Sequence, residues 1–221
     1  MNKKYITVGI LFLTVAIIAK LLFIAIKNIK VDDFNKSAVI FVLDSSVSDR
    51  NVLDREIKYL KALCSILDPE DEVKILKVSQ DSYLIYEGTP SDQSGITKAV
   101  SKYTQEKTTQ GNAYGKALKK AFSHCLTMKE EGYNPSVVII GDLEDNNNIE
   151  GQVNWETLPK NIKNIQKHIP EIAMMFVLAH PKKLDMVKEK LSPVLGEKKL
   201  IIANEENIDK SQRRFLSAIG R

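Results

Sequence analysis

From Ala38 onward the chain alternates apolar runs of strand length with amphipathic segments of helix length, the pattern of a parallel sheet covered by helices. The apolar runs predict strands at Ala38–Leu43, Val73–Ser79, Tyr83–Glu87, Val137–Ile140, Ile172–Leu178 and Lys199–Ile202. The amphipathic segments predict helices at Val52–Leu67, Ile96–Tyr103, Tyr114–Lys129, Leu158–His168, Leu184–Leu191 and Ile208–Ile219. One pair of strands departs from the alternation. In VSQDSYLIYEG only a turn separates two runs, so these should pair antiparallel. Right-handed crossovers elsewhere give an α/β fold: a doubly wound, mostly parallel, Rossmann-like sheet of about six strands with helices on both faces.

Ahead of this domain lies a different pattern, the unbroken apolar run YITVGILFLTVAIIAKLLFIAI from Tyr5 to Ile26. As a helix it would be about 33 Å long, enough to cross a bilayer. It reads as a single-pass transmembrane anchor. The competing reading, a cleaved signal peptide, fits less well because the run is long for one and no small-x-small cleavage site follows it. Lys20 is near enough to the end of the run to snorkel or to face a partner helix. The expected organisation is residues 1–30 as the anchor with its flanks, 31–36 as a linker and 37–221 as the α/β domain. The lysines on the two sides compete under the positive-inside tendency, and the reading adopted puts the N-terminus inside and the domain outside the cytoplasm.

Charge changes the picture once it is divided along the chain. The net charge is +4, but residues 1–30 hold five lysines and no acid, leaving 27 basic against 28 acidic residues in the remainder. A near-neutral domain argues against a nucleic-acid binder, which needs basic side chains gathered on one face. Cys64 and Cys125 fall in helix-like segments, away from any metal-spaced His. They read as core residues, with an inter-helix disulfide permitted outside the cytoplasm.

Candidate chemistry gathers where ligands bind in open α/β sheets, at the carboxyl ends of strands. LDSSVSDR after the first strand supplies Asp44, Ser46 and Ser48, with alternate side chains placed to converge. VVIIGDLEDNNN supplies Asp142 after a later buried strand, and TTQGNAYGKAL precedes the long central helix. A buried, unpaired carboxylate costs several kcal/mol without a cation or donors. Two acids and two hydroxyls are hard oxygen ligands, suited to Mg²⁺, Mn²⁺ or Ca²⁺ rather than zinc or copper.

The D-x-S-x-S of Asp44, Ser46 and Ser48, the GNAYGKAL loop opening a helix, and an Asp closing a later apolar strand together resemble the von Willebrand factor A domain, also called the integrin I-type domain. The resemblance covers essentially residues 37–220. It implies a metal-ion-dependent adhesion site (MIDAS) in which the serines bind the cation directly and the aspartates act largely through water. An acidic side chain of a protein partner would complete the shell. Two departures stand out. Asn112 occupies the position of the family's usual Thr, where an amide oxygen can still ligate Mg²⁺ or Ca²⁺, and Thr108 or Thr109 could substitute if the loop were reshaped. The later loop reads Gly141-Asp142-Leu143 where the family commonly has Thr-Asp-Gly. The implied metal ligands are Asp44, Ser46, Ser48, Asn112 and Asp142.

Other readings compete. Asp44 with the serines could be only a turn and helix cap, and a subunit with a decayed metal site would share the fold but lack metal dependence. Asp44 and GDLED also resemble the loops of haloacid-dehalogenase-like phosphohydrolases, but Ser46 stands where that family needs its second Asp. No catalytic triad and no phosphate-binding loop can be read. Glu144 and Asp145 read as solvated loop acids, Trp155 as a packing residue, and His124, His168 and His180 are assigned no chemistry. The expected function is therefore that of a non-enzymatic, membrane-anchored module that binds a membrane-associated protein.

Removing residues 1–30 should yield a chain that folds without detergent, because the predicted strands and helices all lie beyond them. Circular dichroism showing an unfolded product would place the domain boundary elsewhere.

Overall fold

β1 (Ser37–Asp44) is buried at every position, as expected of a central parallel strand with near-continuous apolar sequence. It pairs in parallel with β2 (Glu72–Val78) on one edge and β4 (Asn134–Ile140) on the other. β3 (Ser82–Gly88) lies antiparallel to β2 with an irregularity between Ile75 and Leu76. β5 (Met174–Val177) and β6 (Leu200–Ala203) continue the parallel side, giving the order β3-β2-β1-β4-β5-β6. The computed structural model describes residues 36–44, 50–105, 112–144 and 149–221. The anchor expected at Tyr5–Ile26, Ser46, Ser48, Thr108, Thr109 and Asp145 lie outside the described residues. Among the described residues no helix is long and apolar enough to cross a membrane.

Side-chain alternation along the strands divides the interior into two apolar layers. Ile40, Val42, Val137, Ile139, Met174 and Phe176 face one layer. Buried residues of α3 (Tyr114–Glu130), α4 (Leu158–Gln166) and α5 (Pro181–Lys199) cover it. Val39, Phe41, Leu43, Val138, Ile140, Met175 and Val177 face the other layer, against α1 (Arg50–Cys64), α2 (Gln93–Gln105) and α6 (Ile208–Ala218). Cys64 belongs to this second layer and Cys125 to the first, both as free thiols. The sheet stands between them, so the disulfide that the sequence permitted does not form. Trp155 packs against the first layer, as expected.

α5 is longer than the predicted Leu184–Leu191. Its buried stripe of Val187, Leu191 and Leu195 runs a further turn, past Pro193, before Gly196 at φ 72° breaks the helix. At its start Pro181 occupies a first-turn position, where the missing N–H costs no helical bond.

The chain enters the sheet at the amino end of β1, where Asp71 is fully buried. Its Oδ1 accepts the backbone N–H of Ser37 at 2.8 Å and its Oδ2 that of Asp68 at 3.0 Å. The Arg221 guanidinium pairs with both Asp71 and Asp68. Asp71→Ala should therefore lower stability by about 3 kcal/mol, because it strands a buried N–H and uncouples an ion pair. Urea unfolding would measure this, and a loss below about 1 kcal/mol would show that water replaces the carboxylate.

Candidate metal centre at the switch point

Strand order reverses between β1 and β4, and a crevice opens outside the carboxyl ends of strands at such a point. Asp44 ends β1 in register with the residues just beyond Ile140. It shares the parity of Ile40 and Val42, so its side chain leans toward α3. There it accepts the Tyr114 hydroxyl at 2.7 Å and Asn112 Nδ2 at 3.2 Å on the same oxygen, Oδ2. Asp44 is only 4% exposed and Tyr114 is fully buried.

Asn112 also donates Nδ2 to the carbonyl of Glu144 at 3.3 Å. Both of its partners are acceptors only, which fixes the amide orientation. Oδ1 is left buried with no hydrogen-bond partner among the described residues, a condition that is costly unless a donor or cation meets it. Asp142 is half-buried, and its Oδ1 accepts the Glu144 N–H at 2.7 Å. Burial raises the Asp142 pKa, the Glu144 N–H opposes that shift, and the charge of Asp44 adds to it. The structure thus brings Asp44, Asn112 and Asp142 to one place. The donor set is all oxygen, with an unsatisfied acceptor and two repelling carboxylates, and it fits a hard cation. Among the described residues, no three acidic, His or Cys side chains converge to hold a metal, so any such site would have to rest on hydroxyl and amide oxygens beside the two acids.

The sequence departures have steric causes. A Cβ on Gly141 would meet the Tyr114 hydroxyl at 2.3 Å and Asp44 Cβ at 2.5 Å, and φ there is +147°. Glycine is required because Tyr114 fills the space against the strand end. Leu143 then takes φ 63°, strained for a branched side chain, while 99% buried in the apolar layer.

Sequence reasoning missed Tyr114 and Glu56. Tyr114 looks like an ordinary core aromatic. Glu56 could have been found, because it shares a helical stripe with Leu60, Leu63 and Cys64, all buried, and an acid on such a stripe needs a reason. Its side chain is 2% exposed, and Oε2 has no hydrogen-bond partner among the described residues. It lines a cavity of about 410 Å³ together with Asp142, Arg55, Leu178, Asn204 and Glu205.

Residues 39–144 match the family model for the von Willebrand factor type A domain. The structure shows its six-stranded fold extending through α6. Among solved structures, BatB from Bacteroides thetaiotaomicron superposes with a TM-score of 0.58 at 14% identity, over 84% of this chain and 100% of that one. An aerotolerance-related membrane protein of Bacteroides fragilis gives 0.57 at 14%, over 83% and 98%. Proximal thread matrix protein 1 of the mussel byssus gives 0.57 at 11% over 83% of this chain, which spans only 48% of that protein. A further structure of the mussel protein has a zinc-occupied MIDAS motif and gives 0.54 at 13%, over 83% and 47%. No curated protein matches the chain significantly.

Glu56 carries a titration consequence for the metal-free protein. Burial, then the charges of Asp44 and Asp142, push its carboxyl up to about 9, with Arg55 opposing. Between the ordinary carboxylate range and about 9 the folded state holds a proton that the unfolded state has released, so stability falls as pH rises through that window. Asp142 and Glu72, both shifted upward, add to the fall at its acid end. In chelator, stability should drop by a few kcal/mol, in order of magnitude, from pH 5 to 9, and Glu56→Gln should remove most of the drop. Calorimetry across pH would show it, and parallel profiles for the two proteins would refute it.

Proposed function

We propose that the chain is a membrane-anchored von Willebrand factor A domain that captures an acidic side chain of a membrane-associated protein at a divalent-cation site. Asp44, Ser46, Ser48, Asn112 and Asp142 would hold Mg²⁺, or Mn²⁺ or Ca²⁺ in its place. The observation that carries this reading is the buried, unpartnered Oδ1 of Asn112 beside two carboxylates at the switch point. When bound, the cation would supply a positive charge for which a partner carboxylate competes better than an amide or water. The protein's part is positional. Tyr114 and Asn112 fix the Asp44 carboxylate, and the Glu144 N–H fixes Asp142.

Three further observations support the interaction module over the alternatives. Proteins with this domain are generally interaction modules rather than enzymes, and the mussel protein shows that a MIDAS on this fold holds a divalent ion. The two Bacteroides structures, one a membrane protein, share the fold over nearly their full lengths, in keeping with the anchor read at Tyr5–Ile26. That anchor would place the domain outside the cytoplasm, one short linker from the bilayer.

With the full chain in detergent, Mg²⁺ or Mn²⁺ at about a hundred times its dissociation constant should raise the melting temperature by roughly 5–10 °C, and Asp44→Ala should abolish the rise. An unshifted melting point would favour a structural subunit whose metal site has decayed. Asn112→Thr should keep cation binding. Asn112→Asp should tighten it yet weaken capture of the partner, because the added charge offsets the pull on an incoming carboxylate. Partner recovery from membranes that ignores both chelator and Asn112→Asp would sink the metal bridge.

A further inference from the structure

α1 presents Glu56 toward the same strand ends from the layer opposite Tyr114 and Asn112. The surroundings give this carboxyl little in return for its burial. Arg55, its nearest cation in sequence, directs its guanidinium to Glu205 Oε1 at 2.9 Å on the surface. Leu178 and Ala179 line the same cavity, and so does a second acid, Asp142. A carboxyl oxygen left without a donor in such a place costs about 1–3 kcal/mol, and a leucine would satisfy the buried stripe better.

We infer that Glu56 is a third carboxylate of the cation site, placed on the α1 side to accept hydrogen bonds from water molecules bound to the cation. The inference rests on the cation reading above and adds to it a residue that the D-x-S-x-S pattern does not contain. No three acids among the described residues converge at metal-holding distance, so Glu56 acts through water as a positioning residue. The like-charge repulsion from Asp44 and Asp142 that penalises its ionised form turns into mutual attraction once a divalent ion lies between them. This also accounts for an acid on an otherwise apolar helical stripe. Asp44 and Asn112 hold the site from the α3 side, and Glu56 completes it from the other.

The test is Mn²⁺ binding to the full chain in detergent, read by calorimetric titration and by water-proton relaxation, for the wild type, Glu56→Gln and Glu56→Leu. Both variants should fold, and in chelator melt at or above the wild-type temperature, because each removes a repelled buried acid. Both should bind Mn²⁺ about tenfold more weakly, with the number of exchangeable waters on the bound ion unchanged. Equal affinity in wild type and Glu56→Gln would overturn the role of Glu56 while leaving the cation site standing. An extra exchangeable water in the variants would overturn the water-mediated arrangement, since it would mark a vacated direct ligand. A wild type that takes up no Mn²⁺ would overturn the cation site and this inference together.

Discussion

A carboxylate at the end of a strand that is buried on both faces and paired on both edges has little contact with bulk water. Asp44 is in that position, and the local architecture follows from what is done about it. Tyr114 opens the central helix at the height needed for its hydroxyl to reach Oδ2, and Asn112 adds an amide N–H to the same oxygen. Both are neutral donors. Burial, and after it the charge of Asp44, pushes both Asp142 and Glu56 toward their neutral forms.

Steric consequences run outward from the same contact. The Tyr114 ring occupies volume that a side chain on residue 141 would need, so β4 must leave the sheet through glycine. The chain then turns at Leu143 with positive φ, and the side chain is pressed into the apolar layer beneath α3. A backbone held in that region by a buried leucine is over-determined by its surroundings. It also presents the Glu144 N–H to Asp142 and the Glu144 carbonyl to Asn112, so one strained residue positions two groups of the site.

How far the sequence could be read depended on range. Period-two and period-3.6 patterns report local burial, and they located the six strands and six helices to within a few residues, with α5 the main underestimate because Pro193 looks like a terminator and its buried stripe runs past it. Asp44 and Asp142 were legible as acids at strand ends, and Asn112 only through the family resemblance, which aligns it with the usual Thr. The Gly141 and Leu143 departures were visible as letters but had no meaning until Tyr114 was placed, since the contact spans elements far apart in the chain. The permitted disulfide failed for a related reason. Sequence spacing says nothing of which face of the sheet a helix covers.

The entrance to β1 and the candidate site lie at opposite ends of one eight-residue strand, about 23 Å apart. Asp71 ties the entrance to β2's own approach and to Arg221. If the domain is held at its linker and a partner is held at Asp44, tension between the two runs lengthwise along β1. Hydrogen bonds to β2 and β4 on both edges would then be loaded in shear and all at once, rather than peeled one by one from an end. Under such a pull the central strand would act as a mechanical element as well as a scaffold, carrying the load with its whole ladder.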